Sequence, residues 1–427
     1  MDGMVLGESL AAGTSAPGVP GVRSRRRRFA FVIGRPQRLA ALLLLFFVAE
    51  CLYTISRQEL STADFRYARC GREMWERPSP LAGYFTTCGN LQGDGLFAYR
   101  VAGLPLTLQR LTLLGMDHFR RPENRVYAGG SLNGSTWEAR HEIADVKYLL
   151  HVPFVLFAAW LGGGLWWVAR RLFGNEGGAF ALGLYVLHPA VIAAAVRPNN
   201  DVLAMWGLYG LVYTAIGVAH AMQGPRRKWR PRLILLTAAL GLTAAAHLVA
   251  AIFGWVLSLG LMLYVAERRR SYVMQILVFA AVGALVVDLA FFSFHLAAFT
   301  YVFTGGSARF GISSFGARQL LHSVVNAPVT LALGVAAVLW LAVRRSRYFG
   351  NTAPLLVAVP LLFITPGQVG MAPWIWAIPF LLTFAGGVFA DAFETKYRKL
   401  FLLVAGAILL TEAAATLPVL AVIAHAS

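Results

Sequence analysis

Long apolar runs separated by short polar turns make up most of this chain, and they predict membrane-spanning helices. The first run is Leu39–Ile55, and further runs follow one long polar interval. A helix needs about 20 apolar residues to cross a bilayer. The later runs are Tyr148–Ala169, Ala179–Val196, Val202–Met222, Leu233–His247, Leu248–Ala266, Val273–Ala298, His322–Val343, Ala353–Ile364, Pro373–Ala390 and Leu400–Ile423. The pattern predicts an all-α polytopic membrane protein with about eleven transmembrane helices.

The apolar stretch Arg232–Ala266 allows two interpretations. It fits one long helix with a re-entrant piece, or two short helices. We expect two helices that meet near Ala246 and His247, because the histidine interrupts an otherwise apolar run.

The polar segments divide the chain into a tail and one membrane domain. Residues 1–38 are rich in Gly, Ala, Ser, Pro and Arg and predict a disordered basic tail in the cytoplasm. Residues 39–427 form a single integral membrane domain, in which residues 56–147 are a long outer loop. With the N-terminus inside, every short basic loop falls on the same side, which agrees with the positive-inside rule.

Composition supports the membrane class and narrows the partners. Hydrophobic residues are 58% of the chain, charged residues are 14%, and the mean hydropathy is +0.61. The net charge of +18 would suggest nucleic acid in a soluble protein. Here the basic residues flank apolar spans, so contacts with membrane lipids and orientation explain them, and no nucleic-acid partner is expected.

Two acids in the outer loop are candidates for chemistry. Asp64 follows the first span and begins a short amphipathic surface helix that carries Phe65 and Cys70 on one side. A helix cap is the alternative role for Asp64, since capping is a common task for Asp at a helix start. Asp94 lies between two glycines, where a turn and a ligand contact are equally plausible.

Other polar residues converge on the predicted outer face. Arg197 and Asp201 flank the turn between two spans, and His247 interrupts a third. Charged groups at membrane depth tend to be paired or functional, although a lone buried histidine is more often structural. Arg309 and Arg318, in the Gly/Ser-rich loop and just after it, suit a phosphate or lipid headgroups.

The sequence predicts no metal site. Its three cysteines lack zinc-ligand spacing, and the run containing Glu138 and His141 fits a solvated helix face better than a metal site. Cys70 and Cys88 both lie in the outer loop, where they either pair or remain free thiols.

A series of short segments carries a family resemblance through its order along the chain. The segments are Arg66-Tyr67-Ala68, Arg72-Glu73-Met74, Leu96-Phe97-Ala98-Tyr99, Val152-Pro153, Arg170-Arg171-Leu172-Phe173-Gly174, His188-Pro189, Arg197-Pro198 with Asp201, and Trp376-Ala377-Ile378-Pro379. In this order they resemble the membrane glycosyltransferases of the GT-C fold. The similarity is to the protein O-mannosyltransferase-like branch, which includes the bacterial lipid A aminoarabinose transferases, and it covers most of residues 39–270.

The resemblance implies sugar transfer from a polyprenyl-phosphate carrier to a lipid, glycan or protein acceptor. The reaction would take place at the outer face of a bacterial inner membrane, with inversion and without a cofactor or obligatory metal. Asp64 would be the base and Asp94 the second candidate. The implied substrate-binding residues are Arg66, Tyr67, Arg197, Asp201, His247, Arg309 and Arg318.

The chain departs from the family pattern at the presumed base. The family usually has two adjacent acids at the start of the surface helix, and here Ala63 takes the first place and Asp64 the second. His247 stands where a lysine is common. These departures keep two alternatives open: a non-catalytic relative that binds lipid-linked sugars, and a transporter or flippase. Transport is disfavoured because no internal repeat is visible.

Overall fold

The structure is a computed structural model, and it describes residues 35–76, 95–120, 142–224, 226–294, 296, 299–300, 310–323, 326–343, 348–366 and 373–425. Its helices are α1 Arg35–Arg57, α2 Thr62–Glu76, α3 Leu96–Arg120, α4 Glu142–Leu187, α5 Pro189–Ala195, α6 Asn200–Met222, α7 Arg226–Ala246, α8 Leu248–Val265, α9 Arg270–Phe291, α10 Phe315–His322, α11 Ala327–Ala342, α12 Phe349–Phe363, α13 Trp374–Phe393 and α14 Arg398–His425. Strands β1 Phe310–Ile312 and β2 Ile364–Pro366 pair antiparallel.

The long helix α4 folds back on itself at Gly174. This residue has φ 83°, a conformation that glycine adopts without a Cβ clash. The Tyr185 hydroxyl donates to the Ala158 carbonyl at 2.7 Å, so the second half returns alongside the first. His151 of the first half also contacts the carbonyl of Val196, which follows α5, at 2.7 Å. The predicted runs Tyr148–Ala169 and Ala179–Val196 are therefore the two arms of one hairpin.

The predicted break within Arg232–Ala266 is confirmed. Helix α7 ends at Ala246 and α8 begins at Leu248, with His247 in an extended conformation between them. Burial lowers the pKa of His247 to about 4, so the imidazole is neutral. An uncharged ring suits this break because the buried position would penalise an imidazolium ion.

Helix α13 is the central helix of the bundle. It packs against α4, α6, α11, α12 and α14, and most of its side chains are buried. Aromatic side chains fill these contacts, with Phe180 of α4 against Phe389 at 4.5 Å between ring centroids. A helix surrounded in this way is a fixed support for side chains at its ends.

The chain is a multi-pass membrane protein, but the count of about eleven spans is not confirmed. Within the described residues, seven helices are long and apolar enough to cross a bilayer, and the bent pair α10 and α11 would make an eighth. The hairpin α4 counts once in this tally. Helix α12 has only 15 residues, and α7 begins with a basic segment, so neither meets the criterion by itself.

The long loop after α1 contains two helices rather than the single predicted surface helix. Helix α2 forms as expected, and α3 follows it and packs along it. Their backbones touch at two glycines: a Cβ on Gly71 would lie 2.2 Å from the Tyr99 carbonyl oxygen, and one on Gly103 would lie 2.0 Å from the Gly71 carbonyl carbon. We call the end of the bundle where α1 ends and α4, α6, α8 and α13 begin the loop end.

Candidate functional site

A reciprocal cap at Ser61 fixes the start of α2 at the loop end. The Ser61 backbone N–H and hydroxyl donate to Oδ2 of Asp64 at 2.7 and 2.8 Å. The Asp64 N–H in turn donates to the Ser61 hydroxyl at 3.3 Å. This is a capping box with aspartate at the third helical position, so Asp64 performs the capping role that the sequence allowed. Its side chain is buried, whereas Ala63 beside it is exposed.

The second carboxylate oxygen of Asp64 faces a histidine that the sequence analysis missed. Nε2 of His151 lies 3.6 Å from Oδ1 of Asp64, and both side chains are almost fully buried. On the other side of the ring, Nδ1 contacts the Val196 carbonyl oxygen at 2.7 Å. His151 therefore connects the start of α2 to the turn that begins with Arg197.

Arg197 lies in a turn that its neighbours hold in place. The Asn199 side chain accepts from the Val202 N–H at 3.0 Å and caps α6, while its amide donates to the carbonyls of Ala194 and Arg197. With its amide oriented to satisfy both partners, Gln58 accepts from Nε and Nη2 of Arg197. The guanidinium of Arg197 is thus anchored to the segment that joins α1 to α2.

Asp201, Trp376 and His247 form a second group at the loop end. The Trp376 indole N–H donates to Oδ1 of Asp201 at 3.0 Å. The His247 ring packs against the indole with 4.8 Å between centroids. Trp376 is fully buried and Asp201 partly buried. The first turns of α6 and α13 and the α7–α8 break therefore meet at one point.

The start of α3 is tied to the same place. The Asn200 side chain, with its amide oriented to satisfy both partners, exchanges hydrogen bonds with the N–H and carbonyl of Gly95 at 3.1 and 3.2 Å. A Cβ on Gly95 would lie 2.1 Å from the Ala245 carbonyl oxygen. Only glycine fits this approach to the end of α7, so the segment that follows Asp94 in the chain reaches the loop end.

A stack of two tyrosines joins α2 to α3, and an arginine of α3 ties the pair to the bundle. Tyr67 is buried and stacks on Tyr99 with 4.4 Å between ring centroids, and exposed Arg66 lies over the Tyr67 ring at 6.0 Å. Arg100 donates from Nε and Nη2 to the Phe291 carbonyl at 2.9 and 2.7 Å, at the end of α9. A cation is favourable at a helix C-terminus.

The remaining predicted residues are not joined to these groups by a described contact. Arg318 is exposed on α10, where its Nε donates to the Ser314 hydroxyl at 2.9 Å. Asp94 and Arg309 lie outside the described residues, as do Cys88, Glu138 and His141. Cys70 is disulfide-bonded and Cys51 is free. Within the part of the chain that is described, no three His, Cys, Asp or Glu side chains are grouped to hold a metal ion.

Comparison with solved structures identifies the fold. ArnT from Cupriavidus metallidurans matches in the apo state with a TM-score of 0.56 and 16% identity, over 85% of this chain and 60% of ArnT. The same enzyme bound to undecaprenyl phosphate matches with a TM-score of 0.54 and 17% identity, over 91% and 74%. The chain thus spans about 60% of the length of apo ArnT.

A second enzyme has the same architecture. The Archaeoglobus fulgidus oligosaccharyltransferase, crystallised with Zn and sulfate, matches with a TM-score of 0.52 and 10% identity, over 88% of this chain and 52% of that enzyme. No protein-family model matches the sequence, and no curated protein matches it. The GT-C fold expected from the resemblance is confirmed, on structural likeness rather than on sequence identity.

Proposed function

We propose that this chain is a membrane glycosyltransferase that moves a sugar from a polyprenyl-phosphate carrier to a lipid, glycan or protein acceptor. The observation that carries the proposal is the junction of Asp64, His151 and the Arg197 turn at one end of a GT-C bundle. The predicted acid lies on α2 and the predicted cation lies in the turn between α5 and α6, and one buried histidine joins α2 to that turn. Both structural neighbours are transferases, and one was crystallised with undecaprenyl phosphate.

Arg197 suits the leaving group of such a reaction. A lipid phosphate that departs from a sugar keeps its negative charge, so it needs a cation rather than a proton. The guanidinium binds phosphate through paired N–H donors, and Gln58 holds it from one side. Arg309 and Arg318 are the further cations that we assign to the phosphate or to lipid headgroups.

The acceptor hydroxyl needs a base when it attacks the anomeric carbon. Asp64 is the first candidate to provide it and Asp94 the second. A single displacement would invert the configuration at that carbon. We assign Asp201 and His247 to substrate binding at the second polar group, with Arg66 and Tyr67 on α2.

The proposal places the loop end outside a bacterial inner membrane. The disulfide at Cys70 supports this placement, because disulfides persist in oxidising compartments. Basic side chains occur at the opposite end, where Arg398 pairs with Glu176 and Arg269 donates to the Gly224 carbonyl at 3.2 Å. A cytoplasmic position for that end follows the positive-inside rule.

Transfer in proteoliposomes tests the proposal. The purified protein is reconstituted with each of a panel of radiolabelled polyprenyl-phosphate sugars and with an extract of membrane lipids as acceptors. The radioactivity in the product is then measured. The variants are Asp64→Asn, Asp94→Asn and Arg197→Gln. His220→Asn changes an exposed histidine at the opposite end and is the matched control. We expect transfer by the wild type and by the control, and reduced transfer in Arg197→Gln and in at least one acid variant.

Other results would point to the alternatives. A folded wild type that binds a donor without any transfer would indicate a lipid-sugar-binding protein. Movement of the labelled donor between leaflets without a new product would indicate a flippase. Either result overturns the transferase proposal.

A further inference from the structure

The ring of His151 is held in one tautomer. Its Nδ1 lies 2.7 Å from the Val196 carbonyl oxygen, which can only accept a hydrogen bond. Nδ1 therefore carries the hydrogen, and in the neutral ring Nε2 is left with a lone pair. The carbonyl belongs to the residue that precedes Arg197, so the same contact orients the ring relative to the proposed phosphate site.

That lone pair points at another acceptor. Nε2 lies 3.6 Å from Oδ1 of Asp64, with side-chain exposures of 3% and 2%. Nε2 has no hydrogen-bond partner among the described residues. Oδ2 of Asp64 is already occupied by the two Ser61 donors. Two acceptors that face each other across this gap can be satisfied by one proton, or by one water that donates to both.

We propose that His151 is the base of the transfer reaction and that Asp64 stabilises the imidazolium ion that forms. This assignment rests on the proposed function, and within it His151 takes the role of base in place of Asp64. In the step, the O–H bond of the acceptor breaks and its proton passes to Nε2, directly or through one water. The acceptor oxygen bonds to the anomeric carbon. The bond from that carbon to the phosphate oxygen breaks, and its electron pair leaves with the lipid phosphate.

The surroundings of His151 fit a base that is neutral before the reaction. Burial of the ring is the largest influence and opposes an imidazolium ion, and the charged groups acting on it are Asp64 from α2, Lys147 from its own helix and Arg197 from the next turn. The carboxylate favours a proton on the ring, and the two cations oppose it. Lys147 also donates to the Ser56 carbonyl at 2.9 Å, which fixes its ammonium group against α1. The imidazole therefore starts neutral and takes a proton from the acceptor hydroxyl during the reaction. The carboxylate of Asp64 then balances the positive charge of the imidazolium ion.

Two variants separate this role from a structural one. His151→Asn keeps an amide N–H that reaches the Val196 carbonyl but removes Nε2. Asp64→Asn keeps an oxygen for the Ser61 cap and removes the charge. We expect His151→Asn to lower kcat/KM by about 10²-fold to 10⁴-fold, the range for loss of a general base. Asp64→Asn should lower it by a smaller factor, because the base itself remains.

The pH profile gives an independent readout. In the wild type, kcat/KM should fall at acidic pH when His151 takes up a proton before the acceptor binds. Asp64→Asn should move this acidic limb to lower pH, because an imidazolium ion without its carboxylate forms less readily. His220→Asn should leave both the rate and the limb unchanged. Where His151→Asn fails to fold, His151→Gln replaces it, since its amide extends to the position of Nε2.

The outcomes separate the base from the wider function. A wild type without transfer refutes the proposed function itself. If the wild type transfers sugar but His151→Asn keeps its rate and its acidic limb, only the base assignment fails. It also fails if Asp64→Asn loses more activity than His151→Asn, which would make Asp64 the base. ¹⁵N NMR of histidine-labelled protein checks the tautomer, and a hydrogen on Nε2 of the neutral ring would overturn the assignment.

Discussion

The indole of Trp376 donates a hydrogen bond to the carboxylate of Asp201 at 3.0 Å, which joins the first turn of α13 to the first turn of α6. The residues lie far apart in the sequence, and one face of the indole also contacts His247. A buried donor paired with a carboxylate at a helix N-terminus favours one register between the two helices. This contact defines how the second polar group at the loop end is assembled.

Trp376→Phe should destabilise the protein without removing the ring contact to His247. Loss of a hydrogen bond to a charged group costs about 1.5–3 kcal/mol. The measurement is the free energy of unfolding in detergent by denaturant titration. Trp167→Phe is the control, because Trp167 is 55% exposed and a phenyl ring can still lie under Arg171. Equal stability in the two variants would show that the indole bond contributes nothing.

Gly71→Ala should separate α2 from α3. The added Cβ would meet the Tyr99 carbonyl and the Gly103 backbone at 2.2 and 2.7 Å. Overpacking of this kind costs about 1–3 kcal/mol. We expect a lower melting temperature and faster proteolysis of the first loop. Gly164→Ala has no atom within 4 Å of the new Cβ and should leave both unchanged. A Gly71→Ala protein as resistant as the control would contradict the close contact.

His247 should make stability depend on pH. Burial lowers its pKa to about 4 in the folded chain, against about 6.5 when unfolded. As pH falls from about 6.5 to about 4, the unfolded chain binds a proton that the folded chain refuses, so stability declines. His247→Phe keeps a ring against Trp376 and should flatten this part of the curve. If the free energy of unfolding changed equally with pH in the wild type and the variant between these pH values, His247 would make no contribution to the pH dependence.

Cys70→Ser should lower the stability of the first loop, because it removes the disulfide. Removal of a native disulfide costs about 2–5 kcal/mol in small secreted domains. We expect a lower melting temperature for Cys70→Ser and for reduced wild type. Cys51→Ala, which removes the free buried thiol, is the comparison. Maleimide labelling of Cys70 before any reduction would contradict the disulfide.

Arg197→Lys should weaken donor binding while keeping the positive charge. The lysine ammonium group lacks the planar pair of N–H donors that a guanidinium presents to a phosphate. It also cannot reproduce the two hydrogen bonds that Arg197 donates to Gln58. Loss of one hydrogen bond to a charged group, about 1.5–3 kcal/mol, raises the donor KM roughly tenfold or more. The donor KM is measured at fixed acceptor concentration. Arg398→Lys is the control and should leave the KM unchanged, because Arg398 pairs with Glu176 at the opposite end. An unchanged KM in Arg197→Lys would remove Arg197 from the phosphate site.

The apolar pattern was sufficient to predict much of the fold. It placed α1, α6, α8 and α13 within a few residues of their observed bounds, because burial in lipid demands long apolar runs. It also located the break at His247, since a polar residue within an apolar run marks a helix end. The pattern also separated the two arms of the hairpin in α4 as two runs. It could not show that the chain turns at Gly174, because an apolar pattern does not report backbone conformation.

The candidate site was only partly predictable. Asp64, Arg197, Asp201 and His247 were identified because charged or polar groups are rare in such a chain. His151 was missed although it is also polar within an apolar run, because nothing in the sequence showed its two partners. Gln58 and Asn200 carry no charge, and their roles depend on contacts with Arg197 and Gly95.

The sequence alone determined that the chain crosses a membrane and where most spans lie, because transfer of apolar side chains into lipid is a local property of each segment. It also determined that a serine precedes α2 with an aspartate three residues later, which allows a local hydrogen-bond pattern. Only the tertiary structure decided that Asp64 meets His151 and that His151 meets the Arg197 turn. Those contacts join segments far apart in the chain, and they depend on how the helices pack.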